Sequence, residues 1–161
     1  MNKVELYPEL PWLNMPRKVP VDRIVLHTME GGIRGTRAWF LVGPPKRKVP
    51  TAAHYLIGEN GDVLQMVADE KKCWHANAYN SRSIGIEHEG YAAASAFPDQ
   101  LLEASARVVA ALCKKFGLPP DREHVIGHNE VPGATHTDPG KNWPWVPYMI
   151  LVRQAYQKLP R

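Results

Sequence analysis

The chain has 161 residues, of which 44% are hydrophobic and 22% are charged. This length fits one domain of ordinary size, and this composition excludes a disordered or fibrous chain. Apolar runs are only a few residues long, well short of the 18 or more that a membrane-spanning helix needs. The net charge of +4 favours anionic partners such as nucleic acid or cell-wall polymer, without choosing between them.

Cysteine usage and the N-terminal sequence give expectations about stability and compartment. Cys73 and Cys113 are too few for a disulfide framework and do not form a CxxC motif. The opening MNKVELYPELPW lacks the apolar run of about 7 to 15 residues that is typical of a secretory signal, so we expect synthesis in the cytoplasm. A chain of this length can bury roughly two-thirds of its unfolded surface, so we expect a stable monomer.

Short strands and turns are predicted in the first half of the chain. Residues 23–27 (RIVLH) are apolar and β-branched and predict a strand, and residues 36–42 predict a short helix after a Gly-Gly loop. The prolines of 43–50 (GPPKRKVP) exclude a helix or a central strand, so this segment is predicted to be a basic loop. Residues 53–57 and 62–67, separated by GENG, predict a β-hairpin.

The second half of the chain contains two predicted helices and two predicted strands. In 83–89 (SIGIEHE), isoleucines alternate with Gly and Glu, which predicts a strand with one buried face. Residues 99–116 carry an apolar stripe at helical spacing that ends at glycine. A short strand over 124–127 and a last helix from about residue 147 follow. Because strands and helices do not alternate regularly, the sequence predicts one domain, 1–161, of the mixed α/β (α+β) class: a central mixed sheet flanked by helices.

Three side chains lie at strand ends or in a rigid turn. His27 ends the strand RIVLH, His128 ends HVIGH, and Asp138 lies ten residues further on in the turn THTDPG. Two imidazoles and one carboxylate leave an open position on a zinc ion, as catalytic sites require. Iron and manganese accept the same ligands. A lone histidine at a strand end is more often structural, so these residue types alone leave the role open.

Six segments of the chain, taken together and in order, resemble the motifs of a known protein family, although no single segment is specific. They are HTMEGG, TAAHYLIGENGDVLQMV, CWHAN, SIGIEHEG, VIGHNEV and HTDPGKNWPW, within about residues 21–145. In this order they resemble the zinc-dependent N-acetylmuramoyl-L-alanine amidases of the type 2 amidase family. That family includes phage lysozyme-type amidases, cytosolic anhydro-muropeptide amidases and animal peptidoglycan recognition proteins. The resemblance implies their fold and an enzyme that hydrolyses peptidoglycan.

The resemblance also assigns site residues, position by position. It implies one zinc ion per chain, held by His27, His128 and Asp138, where some phage members have a cysteine in place of the aspartate. Glu87 matches a catalytic glutamate of several bacterial members. Other members use a tyrosine at the position of Ala53, so in this chain we expect Glu87 to take the proton from the attacking water.

The resemblance also implies residues that stabilise the oxyanion of the transition state and residues that bind the substrate. Where the family often has a lysine two residues before the third ligand, this chain has His136, which we expect to donate to the developing oxyanion when protonated. Trp74, His75 and Asn77 of the CWHAN segment are expected to bind substrate. The alternative for Trp74 and His75 is a packing role in the wall of the groove.

Three other classes of function fit the sequence less well than the amidase. Some family members bind peptidoglycan without cleaving it because a zinc ligand is missing, but this chain keeps all three. The HTD segment supplies the His-x-Asp half of the facial triad of non-haem iron oxygenases, but no second histidine follows His136 to complete that triad. Lysines and arginines are dispersed, without the aromatic-basic motifs of nucleic-acid modules. We therefore expect no nucleic-acid or membrane partner, only peptidoglycan or muropeptide substrate.

Two biological settings remain open from the sequence. A catalytic domain without a signal fits a phage or prophage endolysin, which is released at lysis and degrades the cell wall as a bacteriolytic, antimicrobial enzyme. It also fits a cytosolic amidase that recycles soluble anhydro-muropeptides. The basic charge favours the endolysin, because a lysin without a targeting domain must find an anionic wall.

Overall fold

The structure is a computed structural model that describes residues 2–160. Within this range the chain forms three α-helices, namely α1 (Ile33–Phe40), α2 (Asp99–Phe116) and α3 (Trp145–Lys158). It also forms eight strands, namely β1 (Asn2–Val4), β2 (Met15–Pro16), β3 (Arg23–Thr28), β4 (Tyr55–Ile57), β5 (Val63–Gln65), β6 (Lys71–Lys72), β7 (Ser83–His88) and β8 (Val125–Gly127). Three short 3₁₀ turns lie at Pro11–Leu13, Asn77–Tyr79 and His128–Glu130.

Six strands form one mixed sheet in the order β1-β5-β4-β7-β3-β8. Strand β3 lies between β7 and the edge strand β8 and is parallel to both, while β4 is parallel to β7. Strands β4 and β5 form the predicted antiparallel hairpin, and β2 pairs separately with β6. The predicted mixed fold, a central sheet flanked by helices, is confirmed.

Helices and loops cover both faces of the central strands. Helices α2 and α3 pack with the isoleucines of β3 and β7 into one apolar cluster. On the other face, Phe40 of α1 and Leu13 pack against Leu56 and Leu64 of the hairpin. Strand β7 is therefore buried on both faces, as parallel central strands usually are, and the prediction of a single buried face was wrong.

The predicted helices are present, with shifted ends for two of them. The bounds of α2 match the prediction, and Gly117 caps it with a left-handed backbone (φ +67°) that glycine adopts without strain. Helix α1 begins three residues earlier than predicted, and α3 two residues earlier. Strands β1, β2 and β6 were missed because two or three residues are too few to show an alternating pattern.

A chain of buried hydrogen bonds ties α3 and α2 to the central sheet. His88 Nδ1 donates to the carbonyl oxygen of His27 at 2.8 Å, which leaves His88 Nε2 as the acceptor for the Ser105 hydroxyl at 2.7 Å. The Ser105 oxygen in turn accepts from the Tyr148 hydroxyl at 2.7 Å. His88 is thus directed into the core and away from Glu87, because successive side chains of a strand lie on opposite faces of the sheet.

Both cysteines and Trp143 lie in the core. The cysteines are buried and free, so they are ordinary core thiols. Trp143 is buried against His88, Phe97 and Tyr148, so its role is to pack the core. No helix within residues 2–160 is long and apolar enough to cross a membrane.

Candidate active site

The register of the parallel strands brings His27 and Glu87 together. His27 of β3 lies directly opposite Glu87 of β7 in the sheet. Because side chains at the same level of adjacent strands lie on the same face, both project into one space at the ends of these strands. A cleft of about 540 Å³ opens there, and both residues line it.

The other neighbour of β3 supplies His128, and the turn that follows supplies Asp138. Leu26 of β3 pairs with Gly127, so His128, the next residue of the chain, lies beside His27. The carbonyl oxygen of Asp138 accepts a hydrogen bond from the backbone N–H of Asn129 at 3.0 Å, which fixes the turn THTDPG against this strand end. A Cβ atom at Gly127 would lie 2.7 Å from Pro139, so the close approach of the two segments depends on glycine.

The three predicted ligands form one buried cluster. Asp138 Oδ2 lies 2.9 Å from His27 Nδ1, and Asp138 Oδ1 lies 3.1 Å from His128 Nδ1. One ligand atom from each residue lies within 4.8 Å of the others. His128 Nε2 is buried without a hydrogen-bond partner among the described residues. A buried carboxylate between two imidazoles fits a divalent cation of the zinc type, because zinc accepts both kinds of ligand. Three protein ligands leave a coordination position open for water or substrate.

Charges in the cluster are set by burial and by mutual contact. Burial lowers the pKa of His27, so its neutral, metal-binding form prevails. Burial opposes ionisation of Asp138, but the contacting imidazoles of His128 and His27 outweigh it and lower the pKa of this carboxyl. Asp138 is therefore a carboxylate over the physiological pH range.

The pKa of Glu87 is shifted in the opposite direction to that of Asp138. Its Oε2 atom is buried without a hydrogen-bond partner among the described residues. Burial raises the pKa of Glu87 well above the usual value, and the charges of Asp138 and Glu30 add to this effect. A carboxyl group that holds its proton more strongly than usual, at the edge of a ligand cluster, has the properties of a general acid–base group.

Glu30 was not predicted from the sequence, although it follows His27 closely in HTMEGG. Its backbone has a left-handed conformation (φ +50°), which is uncommon outside glycine. Its Oε1 accepts hydrogen bonds from the Thr28 hydroxyl at 2.8 Å and from the Ala92 backbone N–H at 2.7 Å. This strained conformation places the carboxylate in the cleft wall beside Glu87, where it influences the pKa of Glu87.

His136, Trp74 and Asn77 lie in the exposed wall of the cleft. The ring of His136 stacks on that of His128, with centroids 4.8 Å apart, and its Nδ1 lies 4.0 Å from Asp138 Oδ1. Trp74 is 42% exposed, so its ring face is accessible to a ligand. His75 also lines the cleft, but both its ring nitrogens contact protein atoms, so it offers a ligand only carbon atoms.

A second group of metal-type side chains, His54, Cys73 and His75, lies behind the first. His54 Nδ1 accepts from the Gly85 backbone N–H at 3.0 Å, and its Nε2 donates to the carbonyl oxygen of Lys71 at 3.0 Å. Burial raises the pKa of Cys73, which keeps it a thiol rather than the thiolate that metals bind. The donor atoms of this group are therefore already used, and it does not fit a metal ion.

A His–His–Asp ligand set beside a carboxyl with a raised pKa, in an open cleft, is typical of metal-dependent hydrolases. Comparison with known proteins identifies the family. Residues 17–141 match the family model described as N-acetylmuramoyl-L-alanine amidase (Amidase_2). The chain therefore belongs to the N-acetylmuramoyl-L-alanine amidase family, and the predicted class of enzyme is confirmed.

Individual relatives agree with this assignment. The chain is 36% identical to N-acetylmuramoyl-L-alanine amidase A of Achromobacter lyticus, over 80% of this chain and 81% of the relative. It is 32% identical to the 1,6-anhydro-N-acetylmuramyl-L-alanine amidase AmpD of Citrobacter freundii, over 66% of this chain and 60% of that protein. A crystal structure of a selenomethionine derivative of AmpD superposes with a TM-score of 0.78 at 25% identity and covers 94% of each chain.

Proposed function

We propose that the protein is a zinc-dependent amidase that hydrolyses the amide bond between N-acetylmuramic acid and the L-alanine of the peptidoglycan stem peptide. The main observation behind this proposal is that the imidazole nitrogens of His27 and His128 lie 2.9 and 3.1 Å from the carboxylate oxygens of Asp138, beside Glu87. Membership of the amidase family supports this proposal. In it, the chain acts as one catalytic domain.

In this proposal His27, His128 and Asp138 hold one zinc ion. A bound zinc would supply a Lewis acid that polarises the amide carbonyl and activates a water molecule. Asp138 contributes the negative charge of the ligand set, and burial lowers the pKa of His27, which keeps this imidazole available as a ligand.

Glu87 and His136 move and stabilise charge. Glu87 takes a proton from the attacking water on its buried carboxylate, since its raised pKa makes it a competent base and then a competent acid. The same proton then passes to the departing L-alanine amine. His136, exposed in the cleft wall and stacked on His128, donates to the developing oxyanion when it is protonated.

The cleft wall is proposed to bind the muropeptide. Trp74 presents an exposed ring that can pack on a sugar or a peptide side chain, and Asn77 offers an amide at the same rim. A second cavity of about 360 Å³ continues from Glu87 and Glu30 toward Trp39 of α1. This extension provides room for the remainder of the stem peptide or the glycan.

The biological setting has two candidates. The basic charge favours a phage or prophage endolysin that reaches the anionic wall after release from the cytoplasm. The similarity to 1,6-anhydro-N-acetylmuramyl-L-alanine amidase supports the alternative of a cytosolic recycling enzyme that acts on soluble anhydro-muropeptides.

The test uses metal-stripped protein incubated with purified peptidoglycan, with and without added zinc. We expect zinc to restore the release of alanine amino groups without new reducing sugar ends. A comparison of intact sacculi with soluble anhydro-muropeptide then distinguishes the endolysin from the recycling enzyme. Bound zinc without amine release would contradict the amidase and indicate a peptidoglycan-binding protein.

A further inference from the structure

His75 contacts the predicted ligand His27 through an atom that faces away from the other ligands. The His27 ring turns Nδ1 toward Asp138, and its Nε2 lies 3.0 Å from His75 Nδ1. His75 Nε2 lies 3.1 Å from Ser83 Oγ, and Ser83 Oγ lies 2.6 Å from the carbonyl oxygen of Tyr79. These contacts form a continuous chain from a backbone carbonyl to His27.

The carbonyl at the far end determines the direction of every hydrogen bond in this chain. A carbonyl oxygen can only accept, so the Ser83 hydroxyl donates to Tyr79 and its oxygen accepts from His75 Nε2–H. A neutral imidazole carries one N–H, so His75 Nδ1 is an acceptor and His27 Nε2 carries the proton. The lone pair of His27 is thereby left on Nδ1, the atom that faces Asp138.

The surroundings of His75 hold the ring in this position. A Cβ atom at Gly85 would lie 2.5 Å from His75 Nδ1, so the ring occupies space that only glycine leaves open. The backbone N–H groups of His75 and Ala76 both donate to Oδ1 of the buried Asn80, at 2.8 and 2.7 Å. Ring and backbone are thus fixed independently, which restricts His75 to one orientation.

We propose that His75 is a positioning residue that selects the His27 tautomer with its lone pair on Nδ1 and thereby prepares the zinc site. In this tautomer His27 Nδ1 does not donate to Asp138 Oδ2, which lies 2.9 Å away, so a cation bound by both atoms would take the place of that proton. His128 differs, because its Nε2 is buried without such a partner among the described residues. The two histidine ligands therefore have unequal support, and His27 is the one whose tautomer is fixed. The inference rests on the zinc site of the proposed function.

A matched pair of variants tests this role. His75→Leu removes the acceptor for His27 Nε2–H, whereas His75→Asn has the same branching and keeps an acceptor oxygen near the position of Nδ1. Zinc dissociation constants of the full chain are measured by competition with a chromogenic chelator. We expect His75→Leu to bind zinc about 10- to 100-fold more weakly than the wild type. His75→Asn is expected to stay close to the wild type, and thermal melts of the metal-free proteins check that both variants fold.

Ser83→Ala provides a second test should His75→Leu fail to fold. It leaves His75 Nε2–H without its acceptor and is expected to weaken zinc binding less than His75→Leu. Ser81→Ala, two residues earlier, is its control and is expected to leave zinc binding unchanged. Equal zinc affinities in His75→Leu and His75→Asn, or an unchanged affinity in Ser83→Ala, would overturn the proposal.

The outcomes separate this inference from the proposed function. A wild-type protein that binds zinc but releases no amine contradicts the amidase, while the His75 pair still decides the positioning role. A wild-type protein that binds no zinc overturns both.

Discussion

Glu87 and Asp138 are carboxyl groups in one cleft whose environments shift their pKa values in opposite directions. Asp138 contacts two imidazoles and stays ionised, whereas one oxygen of Glu87 is buried without a partner among the described residues, and Glu87 holds its proton more strongly. Such a division assigns ligand and proton-transfer roles to residues of the same chemical type. It depends on the surroundings of each side chain rather than on the side chain itself.

Glu87→Gln tests the proton-transfer role. The amide keeps the shape of the side chain but cannot take a proton, so we expect the rate of amine release to fall by about 10²- to 10⁴-fold with zinc content unchanged. Zinc content is measured by atomic absorption and activity by amine release from peptidoglycan. Glu59→Gln, at an exposed glutamate, is the control. Substantial activity in Glu87→Gln would show that Glu87 is only structural.

His136→Ala tests the oxyanion donor. Loss of one donor of this kind typically costs about 10²- to 10³-fold in turnover, and we expect a loss of that size with zinc still bound. His124→Ala removes a histidine outside the cleft lining and should leave turnover unchanged. Loss of zinc from His136→Ala would instead make His136 a ligand and contradict its assignment as the oxyanion donor.

The secondary-structure elements are connected by the buried hydrogen bonds that run from Tyr148 of α3 through Ser105 of α2 to His88 of β7. This chain ends on the carbonyl oxygen of His27, within β3. It therefore links the two long helices to the strand that carries a predicted zinc ligand. Each of these polar side chains is buried, so the loss of one partner leaves another unsatisfied.

Tyr148→Phe tests the contribution of this chain to stability. Removal of the hydroxyl leaves Ser105 without its donor, and we expect the free energy of unfolding to fall by about 0.5 to 1.5 kcal/mol. Urea unfolding followed by circular dichroism measures this change. Tyr156→Phe alters a half-buried tyrosine of the same helix and is expected to have a smaller effect. Equal losses in the two variants would show that the hydrogen bond to Ser105 contributes nothing.

At the scale of the whole molecule, buried neutral histidines make stability depend on pH. Burial lowers the pKa of His88 to about 3 and that of His54 to about 4. Below the unfolded-state pKa of about 6.5 the unfolded chain binds protons that the folded chain does not, so acid favours unfolding. The stability that these residues contribute is fully present above that pH and is lost as the pH falls toward their folded-state values.

His88→Asn isolates one of these groups. We expect the variant to be less stable than the wild type at pH 7, and the difference to shrink by up to about 1.4 kcal/mol per pH unit below about pH 6.5. Urea unfolding of the metal-free proteins between pH 7 and pH 4 measures the difference without the zinc ligands contributing through metal binding. A constant difference over this range would contradict a strongly lowered pKa for His88.

Much of the framework is readable from local sequence patterns. The apolar stripe of α2 and the glycine that follows it predict both ends of that helix correctly. The apolar residues of β3 and β7 and the turn of the hairpin predict the positions of these strands. Helix α3 was placed two residues late because Trp145 lies next to proline. Strands β1, β2 and β6 depend on pairing partners distant in the chain, and local patterns contain no information about those partners.

The sequence by itself determined which residues form the candidate site and to which family the chain belongs, because both can be identified from the motifs and their order along the chain. Only the tertiary structure decided that Glu30 stands beside Glu87, that His75 contacts His27, and that the group of His54 and Cys73 has no free donor atom. These facts follow from strand register, from the space left by Gly85 and from the direction of hydrogen bonds that end on backbone carbonyls. Such contacts join segments tens of residues apart, so they exist only once the sheet has formed.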